Sequence, residues 1–171
     1  MNEKCIHIYC GDGKGKTSAS LGLALRMAGR GGKVLITRFL KNNNSGELKS
    51  LSQVLNIEIM PIEKTFGFYF EMTDEQKAEA KEYYSTLLRK TVEKSDGYDL
   101  VILDEIMAIY NYNLINTDIL VEFLEKKPCE IVLTGRNPDE KLISYADYVS
   151  EVKKIKHPYD RGIEARKGVE F

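Results

Sequence analysis

The stretch YCGDGKGKTS, residues 9 to 18, ends in Gly15-Lys16-Thr17, a set of side chains suited to gripping phosphate at a strand-to-helix turn. The usual spacing G-x-x-x-x-G-K-[ST] asks for a glycine at position 10, where this chain has Cys10; its glycines fall at 11, 13 and 15. Backbone N–H groups of such a turn converge with the N-terminus of the following helix on one point, which suits a cluster of oxyanions. Gly11, Asp12, Gly13, Lys14, Gly15, Lys16, Thr17 and Ser18 are therefore the expected nucleotide-binding run. Lys16 supplies a mobile positive charge, Lys14 a second cation, and the Thr17 hydroxyl can ligate Mg²⁺. A turn whose glycines merely make a tight corner is the competing reading; strand, turn, Gly-Lys-Thr and amphipathic helix in that order argue against it. The dinucleotide fingerprint G-x-G-x-x-G fails, because Lys16 stands where the third glycine belongs.

Three further stretches carry candidate chemistry. In LVILDE (100–105) an apolar strand delivers Asp104 and Glu105 at its C-terminal end, the edge where an α/β sheet holds its ligand. A carboxylate there can hold Mg²⁺ opposite Thr17, and spacing does not choose between the two acids. In LTGRNP (133–138) Arg136 can clamp a phosphate or carboxylate from the same edge, although a surface arginine at a turn fits equally well. In EKTFGFYFE (63–71) Phe66, Phe68, Tyr69 and Phe70 surround Gly67 without helical periodicity, so they form either a core plug or a flat apolar ligand surface. His7 reads as a core residue of a strand, and nothing near His157 completes a triad or a metal set.

The elements that must position these residues alternate. CIHIY (5–9), KVLITRFL (33–40), IEIM (57–60), YDLVILD (98–104), EIVLT (130–134) and YVSEV (148–152) read as strands, several apolar throughout, as in a sheet covered on both faces. Leu21, Ala24, Leu25 and Ala28 form one helical stripe; Ala80, Tyr83, Tyr84, Leu87 and Leu88 form another, opened by a Thr73–Gln76 capping box. Asn137 before Pro138 reads as a cap and first-turn proline. KNNNSGE (41–47) reads as a loop, and Pro158, Gly162 and Gly168 break the tail into short pieces. This order implies a mostly parallel α/β sheet.

Composition sets the remaining bounds. A chain of 171 residues is long enough for one domain with a real core. A net charge of −1 gives no overall field toward nucleic acid or anionic membrane, and no apolar run has bilayer-spanning length. Cys5, Cys10 and Cys129 contain no C-x-x-C pair, which makes a zinc site or a disulfide framework improbable and points to a reduced, cytoplasmic protein.

The off-register phosphate loop, RFLKNNNSGELKSL, GFYFE, YDLVILDEI, IVLTGRNP and KHPYDRGIEARKGVEF together resemble the P-loop type of ATP-dependent corrinoid adenosyltransferases, nearly end to end. The resemblance implies a P-loop NTPase-like (RecA-like) domain over 1–171 with helices on both sheet faces, its tail 153–171 packing near the active site. It implies transfer of the 5′-deoxyadenosyl group of ATP to the cobalt(I) of a reduced corrinoid with release of inorganic triphosphate, the nucleotide lying reversed in its loop. Lys16, Thr17 and Glu105 are then the expected catalytic residues, Arg136 and residues 11–18 the ATP site, and Thr17, Asp104 and Glu105 the Mg²⁺ ligands. Phe68 and Phe70 would crowd the lower corrin face, and a reduced flavoprotein donor and a homodimer are implied as well. Relatives often carry tryptophan where this chain has Phe70, and it has no tryptophan; they commonly extend N-terminal to the first strand, which begins here at about Cys5. A phosphoryl-transferring ATPase or nucleoside kinase is the alternative enzyme, and a nucleotide-gated corrinoid carrier the non-enzymatic one.

Overall fold

A computed structural model describes residues 3–41 and 45–169. Six β-branched, apolar segments form one sheet: β1 (Ile6–Cys10), β2 (Val34–Arg38), β3 (Ile57–Ile59), β4 (Leu100–Asp104), β5 (Glu130–Thr134) and β6 (Tyr148–Glu151). They lie in the order β3-β2-β4-β5-β1-β6, and every pairing is parallel. All six expected strands form, with ends that differ by no more than two residues.

Strand periodicity sends alternate side chains to opposite faces. Val101 and Leu103 of β4 join a core with Leu35, Ile131 and Leu133; Leu100 and Ile102 join a second core with Val34, Ile36 and Val132. Helices close both. Over the first core lie α3 (Asp74–Lys94), α4 (Ile106–Asn111), α5 (Thr117–Lys126) and α6 (Glu140–Tyr145), and over the second α1 (Lys16–Gly29) and α2 (Gly46–Leu51). Continuous apolar strands follow from this double cover. Among the described residues no helix is long and apolar enough to cross a membrane.

Local signals fared unevenly. The capping box of α3 forms as expected: Gln76 N–H donates to Thr73 Oγ1 at 3.2 Å, and Thr73 N–H donates to Gln76 Oε1 at 2.9 Å. Ala80, Tyr84, Leu87 and Leu88 are buried, while Tyr83 is only partly covered and packs on Phe66. The stripe of α1 is rotated from its expected position. Ser20, Ala24 and Ala28 face the sheet while Leu25 is 50% exposed, because small residues let a helix sit closer to a flat surface. The Asn137 cap is also corrected. Asp139 caps α6, accepting from Lys141 N–H at 2.9 Å, while Asn137 (φ 49°) takes a left-handed turn before Pro138. The loop expected over 41–47 ends early, since α2 starts at Gly46; Asn42, Asn43 and Asn44 lie outside the described residues.

Candidate active site

The C-terminal ends of β1, β2, β4 and β5 gather the site. After β1 the chain turns through Gly11 (φ 103°) and Gly15 (φ 121°), conformations that L side chains rarely adopt. The remaining glycine answers to crowding. A Cβ on Gly13 would lie 2.7 Å from the Val152 carbonyl oxygen and 2.8 Å from Lys153 backbone atoms. That wall is the segment leaving β6, tied on by Gly13 N–H to Val152 O (2.8 Å) and Val152 N–H to Cys10 O (2.8 Å). Asp12 accepts from Lys154 N–H at 3.1 Å, and this bond, ahead of nearby cations, holds its carboxyl below the usual range. The phosphate loop is thus held by residues 140 positions away in sequence, and a glycine spacing shifted from the common one accommodates them.

Lys16 is 7% exposed and donates to Gly13 O at 2.9 Å. Burial pushes its pKa down, and the charge of Glu105 pushes it back up. At the end of β4, Asp104 is 1% exposed. Its Oδ1 accepts from Thr17 Oγ1 (2.9 Å) and Thr134 Oγ1 (2.7 Å), and Thr134 Oγ1 in turn accepts from Glu105 N–H (2.9 Å). Its Oδ2 accepts no well-aligned hydrogen bond; it is ion-paired with the Lys41 ammonium at 2.7 Å. Glu105 occupies a left-handed conformation (φ 62°), a strained turn of the kind found at functional sites, and reaches the cavity instead of Thr17. Between the two acids that spacing left open, Asp104 is the one bonded to Thr17.

A cavity of about 700 Å³ lies over the loop, within the range of small-molecule sites. Asp12 to Ser18, Glu105 and Arg136 line it, joined by Lys41, Glu47, His157, Gly168 and Val169. The tail therefore returns to the loop, and Lys14 Nζ donates to Val169 O at 2.8 Å. Gly11, Asp104, Phe68 and Phe70 are not part of the lining. Phe68, 79% exposed, precedes a short helical turn at Tyr69–Glu71 that carries Phe70, 83% exposed, and whose Tyr69 stacks on Tyr112 with ring centroids 4.3 Å apart. Tyr112 closes α4, the helix that begins directly after Glu105, so one short element links the aromatic surface to the acidic end of β4. Phe66 is the core plug of the group, tilted against Tyr83 and Tyr84. His7 is partly buried, 2.5 Å from Glu130 Oε1 and stacked on Tyr148. His157 accepts from Tyr159 N–H at 3.2 Å and lines the cavity.

Sequence reading missed Lys41, Arg38, Thr134 and Tyr112. Arg38 pairs in register with Asp104 and is 3% exposed, its Nη1 donating to Ser45 Oγ at 3.3 Å. A buried arginine at a strand end is a detectable signal; the position of Lys41 depends on long-range register and is not.

The sheet, the turn after its β1 strand and the Asp104–Thr17 pair at the strand ends define a P-loop α/β nucleotide-binding protein. In agreement, the KaiC-like protein PH0186 of Pyrococcus horikoshii superposes with a TM-score of 0.54 at 13% identity, over 89% of this chain and 74% of that one, a likeness of fold alone. The family model for ATP:corrinoid adenosyltransferases BtuR/CobO/CobP matches residues 2–171, and the chain belongs to that family. A corrinoid adenosyltransferase of Sinorhizobium is 34% identical over 170 residues (97% of this chain, 79% of that protein), and one of Escherichia coli K12 is 28% identical over 168 residues (97% and 85%).

Proposed function

We propose that this chain adenosylates a reduced corrinoid: cobalt(I) attacks C5′ of ATP, the Co–C bond forms, the C5′–O bond breaks, and the triphosphate leaves with the electron pair. Membership of the corrinoid adenosyltransferase family supports the reaction class. The observation that carries the residue assignment is one cavity into which the loop, Lys14, Lys16, Lys41 and Arg136 all face. Cobalt(I) is itself a strong nucleophile, so the protein's tasks are alignment and stabilisation of charge on the departing anion. Loop N–H groups and Lys16 hold the phosphates, Arg136 grips them from the β5 edge, and the Glu105 charge offsets part of the cost of burying Lys16.

The donor set also fits Mg²⁺. Hard oxygens from Thr17 and Asp104 lie 2.9 Å apart with a cation already beside both. Among the described residues no group of three or more His, Cys, Asp or Glu could cage a metal, which suits an ion held by one or two protein oxygens plus phosphates. In this reading Thr17 and Asp104 hold the ion, with Glu105 nearby, and when bound it neutralises charge on the triphosphate. Phe68 and Phe70, exposed and carrying no donor atom for cobalt, form the wall for the lower corrin face. By family resemblance, a reduced flavoprotein supplies the electron and a cytoplasmic homodimer is the working form.

The test incubates the protein with Mg-ATP and chemically reduced cob(I)alamin, following the corrinoid spectrum and the phosphate products. Light-sensitive alkylcobalamin with stoichiometric triphosphate is expected; ADP and phosphate without alkylcobalamin would overturn the reaction. In the same assay Phe70→Ala should impair turnover started from cobalt(II) more than turnover started from cobalt(I), and equal losses would remove the aromatic wall's special role.

A further inference from the structure

Lys41 stands where a metal ion would. Its ammonium lies 2.7 Å from Asp104 Oδ2 and 3.0 Å from Thr17 Oγ1. The Thr17 hydroxyl donates its proton to Asp104 Oδ1 and accepts from Lys41, so the ammonium already engages the oxygen that a metal would use. Asp104 Oδ2 is deep in the protein and has no aligned hydrogen bond, so the paired Lys41 charge, with the Arg38 guanidinium nearby, offsets its desolvation. The backbone aims the lysine at this point: Phe39 N–H donates to Asp104 O at 2.9 Å, and Leu40 (φ 53°) then turns left-handed, a conformation costly for a leucine. The Lys41 side chain also borders the phosphate cavity on a flexible four-carbon stem.

From this geometry we infer that Lys41 is an internal stand-in for the divalent cation. In nucleotide-free protein it holds the Thr17–Asp104 pair in place and keeps free metal out. With Mg-ATP bound, Thr17 and Asp104 would hold the ion and the released Lys41 ammonium would reach the triphosphate. Lys41 is thus a positioning residue before the metal arrives and a phosphate contact afterwards. The inference rests on the proposed metal role of Thr17 and Asp104, but not on alkyl transfer.

Mn²⁺, read as loss of its free-ion EPR signal, tests this without nucleotide, corrinoid or turnover. Wild-type protein is expected to bind Mn²⁺ alone weakly. Lys41→Met, which removes the ammonium paired with a buried carboxylate, is expected to bind it about tenfold more tightly or better. Lys41→Gln serves as a second variant should the methionine protein fold poorly, and Lys41→Arg, which keeps a cation, should behave as wild type. Adding Asp104→Asn to Lys41→Met should abolish the gain. Equal Mn²⁺ affinity in wild type and both neutral variants overturns the inference, as does a gain that survives loss of the Asp104 charge. A parallel titration of wild type and Asp104→Asn with ATP present separates the premises. If Asp104→Asn binds Mn-ATP as wild type does, the metal role of Asp104 falls, and the inference with it. If alkyl transfer fails while these titrations behave as expected, only the reaction assigned above is lost.

Discussion

Lys16 sits in the phosphate loop with its ammonium turned back onto Gly13 O, largely out of water. Burial lowers its pKa from 10.5, so the native chain gives up this proton at a lower pH than the unfolded chain does. The charged form therefore costs stability at neutral pH, and this group's contribution to stability rises as pH climbs from the native value toward 10.5. Affinity for ATP runs the other way, because the phosphates need the ammonium. Lys16→Ala should weaken ATP binding by calorimetry about 10- to 100-fold, the range for a charge-assisted hydrogen bond. Wild-type ATP affinity should fall at alkaline pH and the variant should flatten that fall; near-normal binding by the variant would remove Lys16 from the site. This residue was legible because Gly15-Lys16-Thr17 is a local signal between a strand and a helix. Lys41 was not, since its role exists only once β2 and β4 pair in register and Leu40 turns the chain back over Asp104.

The phosphate loop and the segment after β6 act as one element. The glycine expected at position 10 is missing, and the Val152 carbonyl crowds the glycines at 11 and 13. Gly13→Ala should push the two backbones apart, lowering stability by about 1–3 kcal/mol, as overpacking does, and weakening ATP binding; a thermal melt and a titration check both. An unchanged melt would mean the tail yields easily and does not brace the loop. Strands were legible in sequence because two-sided burial leaves nearly uninterrupted apolar runs, visible in β4 as Leu100-Val101-Ile102-Leu103. Helix details were less so. Asp139 competed with Asn137 for the cap of α6, and the choice between them was tertiary. Leu25 looked like part of a buried stripe, but close packing of α1 on the sheet favoured Ser20, Ala24 and Ala28. The tail contained no periodic signal, so its approach to the loop was expected from resemblance rather than from any pattern in its residues.

Across the whole molecule a near-neutral chain concentrates four cations at one cavity while the central strands of its sheet stay closed to water. Cys129, at the entry to β5, reports on that closure: it is 1% exposed, and burial pushes its thiol up to about 12. From the ordinary 9.0 of a thiol, that lowers the thiolate fraction at pH 8 by about two to three orders of magnitude. Alkylation of Cys129 by iodoacetamide, read by mass spectrometry, should be slower in native than in denaturant-unfolded protein by about two orders of magnitude or more; comparable rates would mean the sheet opens readily. The sheet order has one more consequence, for synthesis. β1 lies between β5 and β6, and the loop that follows it is walled by Val152. A ribosome makes the phosphate-gripping turn long before it makes the strands that flank β1 and the Val152 wall. Nascent chains stalled short of β5 should therefore be unable to retain ATP, however long the turn has been outside the exit tunnel.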